Sequence, residues 1–461
     1  MLSPWLLMRA VRTGRYRSGL GEKLLGLAAG PQFERHHGDS ARIWLHGVSV
    51  GEIQMLAGVV KELRREQPTA RVFVSTTTDT GFELARKLLD DDVVLFRFPL
   101  DFSWAIGRTL ARVRPDVLVL GELELWPNML AICHQRQVPV MVVNGRLSER
   151  SLQGYKRWAM ITKPMFAKLA RVCAQSEEYA QRFRQCGCKT DVVVVSGNIK
   201  FDNLCFDRDA ESICELRHQF HCTRDSRYVV VGSTQDPEET MALQAFLKLR
   251  AEHERLKLVL VPRHPERFDD VAKMLDESGV RWLRRSSVTD GRADCPPWDV
   301  LLVDTVGELR WWWGMAEIAI VGGSFGSRGG QNMLEPAAYG ANVAFGPNTS
   351  NFRDVVLLLK QNKCVTEIPA LDAIDGWLRE QLSEPEAGAH RGRLAQELIR
   401  HHQGALQRSV AEILAVVTAG DVAHGNSPDS DGLSACVSNS QNGRAEDTTG
   451  TKGTESRRPA A

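Results

Sequence analysis

Glu52 is the first residue of this sequence whose type and position suggest a functional site. It ends the turn Leu45-His-Gly-Val-Ser-Val-Gly-Glu52, which follows the apolar run Ile43–Leu45 and precedes a helical pattern. A carboxylate at the end of a strand of a parallel sheet is predicted to face the cleft between two domains. The simpler alternative is that Glu52 only complements the dipole of the helix that begins there.

Glu122 and Glu124 form a second acidic turn of the same kind. They lie in Gly121-Glu-Leu-Glu-Leu-Trp-Pro-Asn128, directly after the apolar run Val117–Leu120. Two acids beside Trp126 suit a sugar ligand. The alternative is local structure alone, with Pro127 in the first turn of a helix and a packed tryptophan.

A glycine-rich loop in the second half of the chain has the composition of an anion site. The sequence Val321-Gly-Gly-Ser-Phe-Gly-Ser-Arg-Gly-Gly-Gln-Asn-Met-Leu-Glu-Pro336 predicts a strand, a tight turn and a helix that opens near Asn332. Glycines let backbone N–H groups approach a phosphate closely, and Glu335 can accept hydrogen bonds from a ribose. The loop matches neither the dinucleotide fingerprint nor the P-loop. The alternative is a glycine-rich turn without a ligand.

Other turns of the second half also carry polar side chains after apolar runs. Arg263 and His264 follow Leu258–Val261, and the turn Asp304-Thr-Val-Gly-Glu308 follows Val300–Val303. Arginine at a strand end is well matched to phosphate. Neither turn is specific by itself, but polar or glycine-rich turns after five strands of two tandem domains together indicate a ligand site.

The elements that position these turns are predicted to be two parallel sheets. Short runs that are apolar throughout alternate with helical periods from residue 42 to 195, and again from residue 228 onward after a polar stretch at 198–226. Such runs are typical of strands buried on both faces. Because open parallel sheets bind ligands at the carboxyl ends of their strands, the pattern predicts a cleft between two α/β domains. The predicted parts are a basic amphipathic N-terminal segment at 1–30, a first α/β domain at 31–200, a second α/β domain at 201–418 and a disordered tail at 419–461.

Composition excludes several classes of protein. The net charge of +1 on 461 residues gives no support for nucleic-acid binding. The ten cysteines include no C-x-x-C pair, so neither a zinc site nor a disulfide framework is predicted. The sequence contains no run of about 18 apolar residues, so no membrane-spanning helix is predicted. Residues 1–25 mix apolar side chains with Arg9, Arg12, Arg15, Arg17 and Lys23, which favours a basic amphipathic segment that lies on an anionic leaflet. A solvated helix packed on the domain is the alternative.

Taken together, the turns resemble a known family. The motifs are His46-x-x-Ser49-Val-Gly-Glu52, Glu122-x-Glu124-Leu-Trp-Pro-Asn128, Asn144-x-Arg146-Leu-Ser148, Gly197-Asn-x-Lys200-Phe-Asp202, Pro262-Arg-His-Pro-Glu-Arg267, Gly307-Glu308 and the loop from Gly322 to Pro336. In this order, over about residues 10 to 415, they resemble the transferases of 3-deoxy-D-manno-octulosonic acid (Kdo) in lipopolysaccharide synthesis.

The resemblance implies a two-domain GT-B glycosyltransferase that moves Kdo from CMP-Kdo to a lipid A precursor of the lipid IVA type, with inversion. It places the enzyme on the cytoplasmic side of the inner membrane, peripheral or anchored by its N-terminus, without metal or other cofactor. By motif, Glu52 would be the general base, and Glu122 or Glu124 would support the acceptor side. The implied CMP contacts are Pro262, Arg263, Val306, Gly307, Glu308, Asn332, Met333, Leu334 and Glu335. Candidates for sugar or phosphate contacts are Ser324, Gly330, Arg146 and Lys200.

Two other functions fit the same residues. A nucleotide-sugar epimerase or hydrolase can share the two-domain architecture and the nucleotide site, but it needs no lipid-facing N-terminus. A non-catalytic protein that binds nucleotide sugars is the third interpretation.

Overall fold

A computed structural model describes residues 20–26, 33–34, 41–223, 225–288 and 295–423. Within the predicted segment 1–30 it shows one helix, α1 (Leu20–Leu25). The rest of that basic segment, and the predicted tail beyond residue 423, lie outside the described residues.

The first half of the chain forms a seven-stranded parallel sheet with the strand order β3-β2-β1-β4-β5-β6-β7. Its strands are β1 (Arg42–His46), β2 (Arg71–Thr76), β3 (Val94–Arg97), β4 (Val117–Gly121), β5 (Val140–Gly145), β6 (Arg171–Ala174) and β7 (Val193–Val195). The helices of this half are α2 (Val50–Glu66), α3 (Asp79–Leu88), α4 (Ser103–Val113), α5 (Pro127–Gln135), α6 (Glu149–Arg157), α7 (Ala159–Phe166) and α8 (Glu177–Cys186).

The second half repeats this architecture with the strand order β10-β11-β9-β8-β12-β13-β14. Its strands are β8 (Arg227–Thr234), β9 (Leu256–Pro262), β10 (Trp282–Arg284), β11 (Val300–Leu302), β12 (Ile318–Val321), β13 (Asn342–Phe345) and β14 (Val365–Glu367). The helices are α9 (Glu211–Gln219), α10 (Glu238–Leu249), α11 (Phe268–Ser278), α12 (Leu309–Trp313), α13 (Leu334–Ala338), α14 (Arg353–Gln361), α15 (Ile374–Ser383) and α16 (Pro385–His401), before a last helix, α17 (Ala405–Ala423). The predicted α/β class with two parallel sheets is confirmed.

Strand register places the chemically interesting turns side by side. In the first sheet His46 pairs with Leu120, so the turns after β1 and β4 leave the sheet together. In the second sheet Gly232 pairs with both Val261 and Val321, which brings the turns after β8, β9 and β12 to one edge. Both faces of each sheet are covered, so its parallel strands are apolar throughout. These buried strands fix the positions of the edges from which the turns leave.

The last helix packs on the first sheet, although the chain reaches it from the second. Ala405, Leu406 and Ile413 of α17 lie in one hydrophobic core with residues of β1 and β2. The Asp202 carboxylate accepts hydrogen bonds from Gly404 N at 2.5 Å and Leu406 N at 2.7 Å, so the end of the first half fixes the start of this helix. Residues 405–417, which the sequence assigned to the second domain, therefore belong to the first core. The boundaries 31–200 and 201–418 are otherwise still predictions.

Helix α17 continues to Ala423, so the helix extends beyond residue 419, where the sequence predicted a disordered tail to begin. Among the described helices, none combines the length and the apolar character that a bilayer span requires.

Candidate functional site

Glu52 closes the first turn of α2 with a reciprocal pair of hydrogen bonds. Ser49 Oγ accepts Glu52 N at 3.2 Å, while the Glu52 carboxylate accepts Ser49 Oγ at 2.7 Å and Val48 N at 2.8 Å. This is a variant of the capping box in which the glutamate accepts the cap hydroxyl and the backbone N–H of the residue before the cap, so Glu52 does have a structural role at the start of the helix. The same bonds fix the direction of the carboxylate at the end of β1, which a general base also requires.

Glu122 and Glu124 lie close enough to Glu52 for its charge to affect their pKa values. Glu122 follows β4 with a φ of 59°. Burial first, and then the Glu52 carboxylate, raises the pKa of Glu122. The same two causes raise the pKa of Glu124 to about 7. The structure therefore brings the predicted catalytic acids together, and we call Glu52, Glu122 and Glu124 the acid cluster.

Arg146 and Lys200 lie beside the acid cluster and reach the second half of the chain. Both cations act to lower the pKa of Glu122, against the stronger effect of burial. Arg146 Nε lies 3.0 Å from Asp354 Oδ2, which also accepts the Tyr179 hydroxyl at 2.7 Å. Lys200 Nζ lies 5.6 Å from the ring centroid of Phe352. These contacts hold α14 of the second sheet's domain next to the acid cluster of the first.

The turns after β9 and β11 present the predicted nucleotide contacts. Arg263 is exposed after the buried Pro262, and its N–H donates to Thr234 O at 3.0 Å. Val306 is 80% exposed, which is unusual for a large apolar side chain at a sheet edge. Glu308 has its carboxylate engaged by Arg285 in two bonds of 2.9 and 3.1 Å. Gly307, between them, has a φ of 97°.

Several amides of the glycine-rich loop are paired inside the fold. The buried Glu238 carboxylate accepts Gly323 N at 2.8 Å, Gln235 N at 2.9 Å and Phe325 N at 3.3 Å. A Cβ at Gly322 would lie 2.5 Å from that same carboxylate, which explains the glycine. The anion held by this part of the loop is therefore a side chain of the protein.

Ser324 and Gly330 are likewise used inside the loop. The Ser324 hydroxyl is fully buried, donates to Val321 O at 2.6 Å and accepts Gly346 N at 2.8 Å. Gly330 N donates to Gly323 O at 2.8 Å. The Ser324 hydroxyl and the Gly330 amide are thus already paired inside the fold, and their contact with sugar or phosphate stays a prediction.

The end of the loop holds Glu335 through Asn332. Asn332 Nδ2 donates to Glu335 Oε1 at 3.0 Å, and Asn332 Oδ1 accepts Leu334 N at 3.1 Å. The side chains of Met333 and Leu334 are buried, so only their backbone could meet a ligand. The helix that follows, α13, has five residues and begins at Leu334 instead of near Asn332.

Two arginines lie near the Glu335 carboxylate. Burial raises its pKa, while the Asn332 hydrogen bond, Arg310 and Arg263 act against that shift. Arg263 and Arg310 thus lie near the same carboxylate, although they belong to the turn after β9 and to α12. Arg310, which directly precedes Trp311–Trp313, was not predicted from the sequence.

Comparison with known proteins decides the family. The family described as 3-deoxy-D-manno-octulosonic-acid transferase (kdotransferase) matches residues 15–203. The 3-deoxy-D-manno-octulosonic acid transferase of Haemophilus influenzae is 31% identical over 402 residues, which is 87% of this chain and 91% of the relative. This chain belongs to the Kdo transferase family. It is a glycosyltransferase, as the motifs predicted.

Solved structures agree with the predicted GT-B fold. A glycosyltransferase from Rickettsia africae matches with a TM-score of 0.53 at 11% identity, covering 84% of this chain and 99% of that one. A UDP-N-acetylglucosamine 2-epimerase matches with a TM-score of 0.55 at 12% identity, covering 83% and 97%. At these identities the likeness shows the fold alone, and this fold occurs in both classes of enzyme.

The transferase has a polar cavity that the sequence did not predict. It measures about 280 Å³ and lies between the glycine-rich loop and the turn after β13. Its lining residues are mostly hydroxyl- or amide-bearing, with one cation: Ser327, Gly329, Pro347, Asn348, Thr349, Ser350 and Arg353. The sequence Gly346-Pro-Asn-Thr-Ser350 carries only a turn signal, so no residue type there pointed to a ligand.

Within the described ranges, the transferase contains no group of three His, Cys, Asp or Glu side chains that could bind a metal ion. The charged groups that face its candidate site are the acid cluster and the arginine and lysine side chains described above.

The raised pKa of Glu124 predicts a pH-dependent effect on stability. The folded-state pKa of about 7 lies above the value of an exposed glutamate, so the folded transferase holds this proton more tightly than the unfolded chain does. Stability is therefore lost as the pH rises from about 4.3, the ordinary glutamate pKa, to the folded value. We expect Glu124→Gln to raise Tm more at pH 8 than at pH 5.

Differential scanning fluorimetry of the wild type and Glu124→Gln at both pH values would measure this difference. Glu215→Gln is the matched control, because Glu215 is an exposed glutamate on α9. An equal change in Tm at pH 5 and pH 8 would show that the carboxylate carries no desolvation penalty.

Proposed function

We propose that the transferase moves Kdo from CMP-Kdo to a lipid A precursor of the lipid IVA type, with inversion at the anomeric carbon and with Glu52 as general base. The observation that carries the proposal is the acid cluster, held beside Arg146 and Lys200 and next to α14 of the second domain. The family supports the transferred sugar. The acceptor, the stereochemistry and the role of Glu52 are our inference from the site.

Glu52 is the best general base among the residues of its motif. His46 is fully buried, and burial lowers its pKa to about 3 despite a hydrogen bond to Ser75 O. The imidazole therefore cannot meet an acceptor hydroxyl. The Glu52 carboxylate lies at the turn itself, where its oxygens keep further lone pairs after accepting from Ser49 and Val48. In the proposed step a hydroxyl oxygen of the acceptor bonds to the Kdo anomeric carbon, its proton passes to Glu52, and CMP leaves with the electron pair of the broken bond.

Cations of the second domain would stabilise the departing phosphate. Arg263 and Arg310 lie near Glu335, and Arg353 lines the polar cavity next to the glycine-rich loop. Preorganised positive charge lowers the barrier because it meets charge that develops in the transition state. The exposed Val306 offers an apolar surface for the flat cytosine base, and Glu335 and Asn332 offer acceptors for ribose hydroxyls.

The acidic sugar itself would pair with Arg146 or Lys200. Arg146 now binds the Asp354 carboxylate, so a Kdo carboxylate would compete with Asp354 for it. We expect Arg146→Ala to raise the KM for CMP-Kdo about tenfold, the worth of one charge-assisted hydrogen bond. Asp354→Asn is the paired variant, because it removes the competing charge and keeps Arg146; its KM should not rise. Wild-type kinetics in both Arg146→Ala and Lys200→Ala would remove these residues from donor binding.

A transfer assay tests the proposal as a whole. CMP-Kdo is generated in situ and supplied with tetraacylated lipid A precursor, and products are analysed by mass spectrometry. A mass gain of Kdo that Glu52→Gln abolishes supports the reaction. CMP-Kdo consumed equally without acceptor would count against transfer to this acceptor. Retained CMP-Kdo binding without any turnover would mean that the proposed acceptor is wrong.

Localisation is part of the same proposal. A lipid acceptor requires the enzyme to work at a membrane, and we place it on the cytoplasmic side of the inner membrane, where CMP-activated sugar would be supplied. Fractionation of cells that express the full chain, with salt washes of the membranes, would test this placement.

A further inference from the structure

Arg208 lies in the segment that connects the two sheets, and its side chain binds three backbone carbonyls of the second half. Its guanidinium donates to Tyr339 O at 2.6 Å, to Ala316 O at 2.9 Å and to Gly314 O at 3.4 Å. Gly314 and Tyr339 are the residues that directly follow α12 and α13. One side chain thus closes the carboxyl ends of two different helices.

These two helices depend on such contacts because they are short. Each has five residues, and helices of that length are not stable in water by themselves. The last carbonyl groups of a helix have no partner within it. An arginine beside them satisfies their hydrogen bonds and complements their partial negative charge. Arg208 therefore helps to determine where α12 and α13 lie.

The same helices carry groups that we assign to the nucleotide. Arg310 belongs to α12, and Glu335 belongs to α13. A helix rises about 1.5 Å per residue, so a helix of five residues is about 8 Å long. The carbonyls that Arg208 binds are therefore about one helix length from these donor contacts. A shift of either helix at its carboxyl end would move them.

The guanidinium of Arg208 is held by carbonyls and not by an acid. Burial, and then the charge of Arg217, lowers its pKa, while Glu317 acts against that shift. The Glu317 carboxylate is itself bound by Arg227 Nε at 3.0 Å. Within the part of the chain that the structure describes, Arg208 forms no salt bridge. Its position thus depends on α12 and α13, and theirs depends on it.

The connecting segment is fixed on both sides of Arg208. After it, α9 packs on the end of α12, since a Cβ at Gly314 would lie 2.2 Å from Cδ1 of the buried Ile213. Before it, Phe206 packs against the same hydrophobic core. Further back, Asp202 binds the start of α17, which belongs to the first core. The first half therefore holds this segment at Asp202, and the donor helices hold it at Arg208.

We propose that Arg208 is a positioning residue for the donor, which fixes α12 and α13 so that Arg310 and Glu335 meet the nucleotide. The proposal rests on the proposed function for the place of the donor site. All three nitrogens of the guanidinium are used on the carbonyls. The effect of Arg208 on the nucleotide therefore passes through the two helices.

Steady-state kinetics and calorimetric titration of CMP with Arg208→Gln test this role. Glutamine cannot reach all three carbonyls, so we expect the KM for CMP-Kdo and the Kd for CMP to rise about tenfold. At saturating CMP-Kdo, kcat should stay within about twofold of wild type, because only donor binding is weakened. A merely structural role would lower Tm and the amount of active enzyme without altering KM or Kd.

Arg208→Lys is the conservative variant. Lysine keeps the charge and can donate to some of the carbonyls, so the Kd for CMP should return to within about threefold of wild type. If the glutamine variant does not fold, Arg208→Lys carries the same test, with a smaller rise in both constants expected. No rise in either constant in a folded variant would overturn the proposal.

Arg42→Gln is the matched control. Arg42 is a buried arginine at the start of β1, at the end of the strand opposite to the turn that carries Glu52. It also donates to three backbone carbonyls, namely Val113 O at 2.8 Å, Phe33 O at 3.0 Å and Glu34 O at 3.3 Å. Its loss should lower Tm and leave the Kd for CMP unchanged. An equal rise of Kd in Arg42→Gln and Arg208→Gln would show a general loss of stability and would overturn the proposal.

The two proposals fail separately, because CMP titration needs neither acceptor nor transfer. A wild type that binds CMP but transfers no Kdo would count against the proposed function alone. A wild type that transfers Kdo, with Arg208→Gln binding CMP equally well, would count against the role of Arg208 alone.

Discussion

Glutamine in place of Glu52 is expected to lower kcat for Kdo transfer by about a thousandfold while CMP binding stays within about twofold of wild type. Glutamine has nearly the same shape, and its side-chain oxygen can still accept one of the capping hydrogen bonds. What it cannot do is take a proton from the acceptor hydroxyl. Steady-state kinetics with a fixed lipid acceptor, together with calorimetric titration of CMP, would separate these two quantities.

The control for Glu52 is another glutamate in the first turn of a helix. Glu177 is the first residue of α8 behind the cap Ser176, and its carboxylate binds Arg184 at 2.7 Å instead of the cap. Glu177→Gln should leave kcat unchanged, and its change in Tm shows the stability effect of losing a carboxylate in a first turn. If Glu52→Gln lost activity only in proportion to its loss of stability, the carboxylate would be a helix cap and nothing more.

The residues of the acid cluster are expected to act as a group, because the charge of Glu124 affects the basicity of Glu52. Glu124 has a pKa of about 7, so it is partly protonated at neutral pH. Its ionisation adds a second charge near Glu52 and would make Glu52 a stronger proton acceptor. The geometry that matters is the side-by-side exit of the turns after β1 and β4.

The strands of both sheets were predictable where they are buried on both faces. Runs such as Ile43–Leu45 and Val117–Leu120 are apolar throughout because helices cover both sides of the sheet. The edge strands β10 and β14 were missed. Each has three residues, and only one of the three is buried, so neither shows an apolar run.

The final helices were only partly predictable for a related reason. The helical pattern at 391–417 is apolar at helical spacing across both α16 and α17, and it continues through the break at Gly404, whose φ is 90°. Which core each helix joins depends on contacts distant in sequence, such as Asp202 with Gly404 and Leu406. The spacing of apolar residues along the sequence does not show which hydrophobic core a helix joins.

In the site, the sequence predicted where the turns lie better than it predicted the roles of their residues. The motifs around Glu52, Glu122 and Glu124 do meet in the structure, because neighbouring parallel strands deliver their turns to one edge. The roles of Ser324 and Gly330 could not be read in the same way. Both are paired by groups inside the fold, and a loop rich in glycine has the same composition whether its amides face a ligand or a buried side chain.

A substitution of Glu238 distinguishes two interpretations of the glycine-rich loop. In one the loop amides form a phosphate site, and in the other they serve to bind a buried side chain. If the loop amides were a phosphate site that Glu238 merely fills, Glu238→Ala would free them and strengthen CMP binding. We expect the opposite, because the carboxylate satisfies the buried N–H group of Gly323 and also accepts the partly buried N–H groups of Gln235 and Phe325. Leaving such groups unpaired costs about 1–3 kcal/mol each, so the free energy of unfolding should fall by about 3 kcal/mol.

The loss of order in the loop should carry over to the nucleotide. Glu335 and Asn332 follow the loop directly, and their hydrogen bond depends on where the loop ends. We therefore expect the Kd for CMP to rise about tenfold in Glu238→Ala, equivalent to about 1.4 kcal/mol. Chemical denaturation and calorimetric titration would measure the two effects, with Glu266→Ala, an exposed acid in the turn after β9, as the control. Tighter CMP binding in Glu238→Ala would restore the glycine-rich amides as the phosphate site. Weaker binding at normal stability would instead place Glu238 itself in contact with the nucleotide, since only a direct contact would be lost without disturbing the loop.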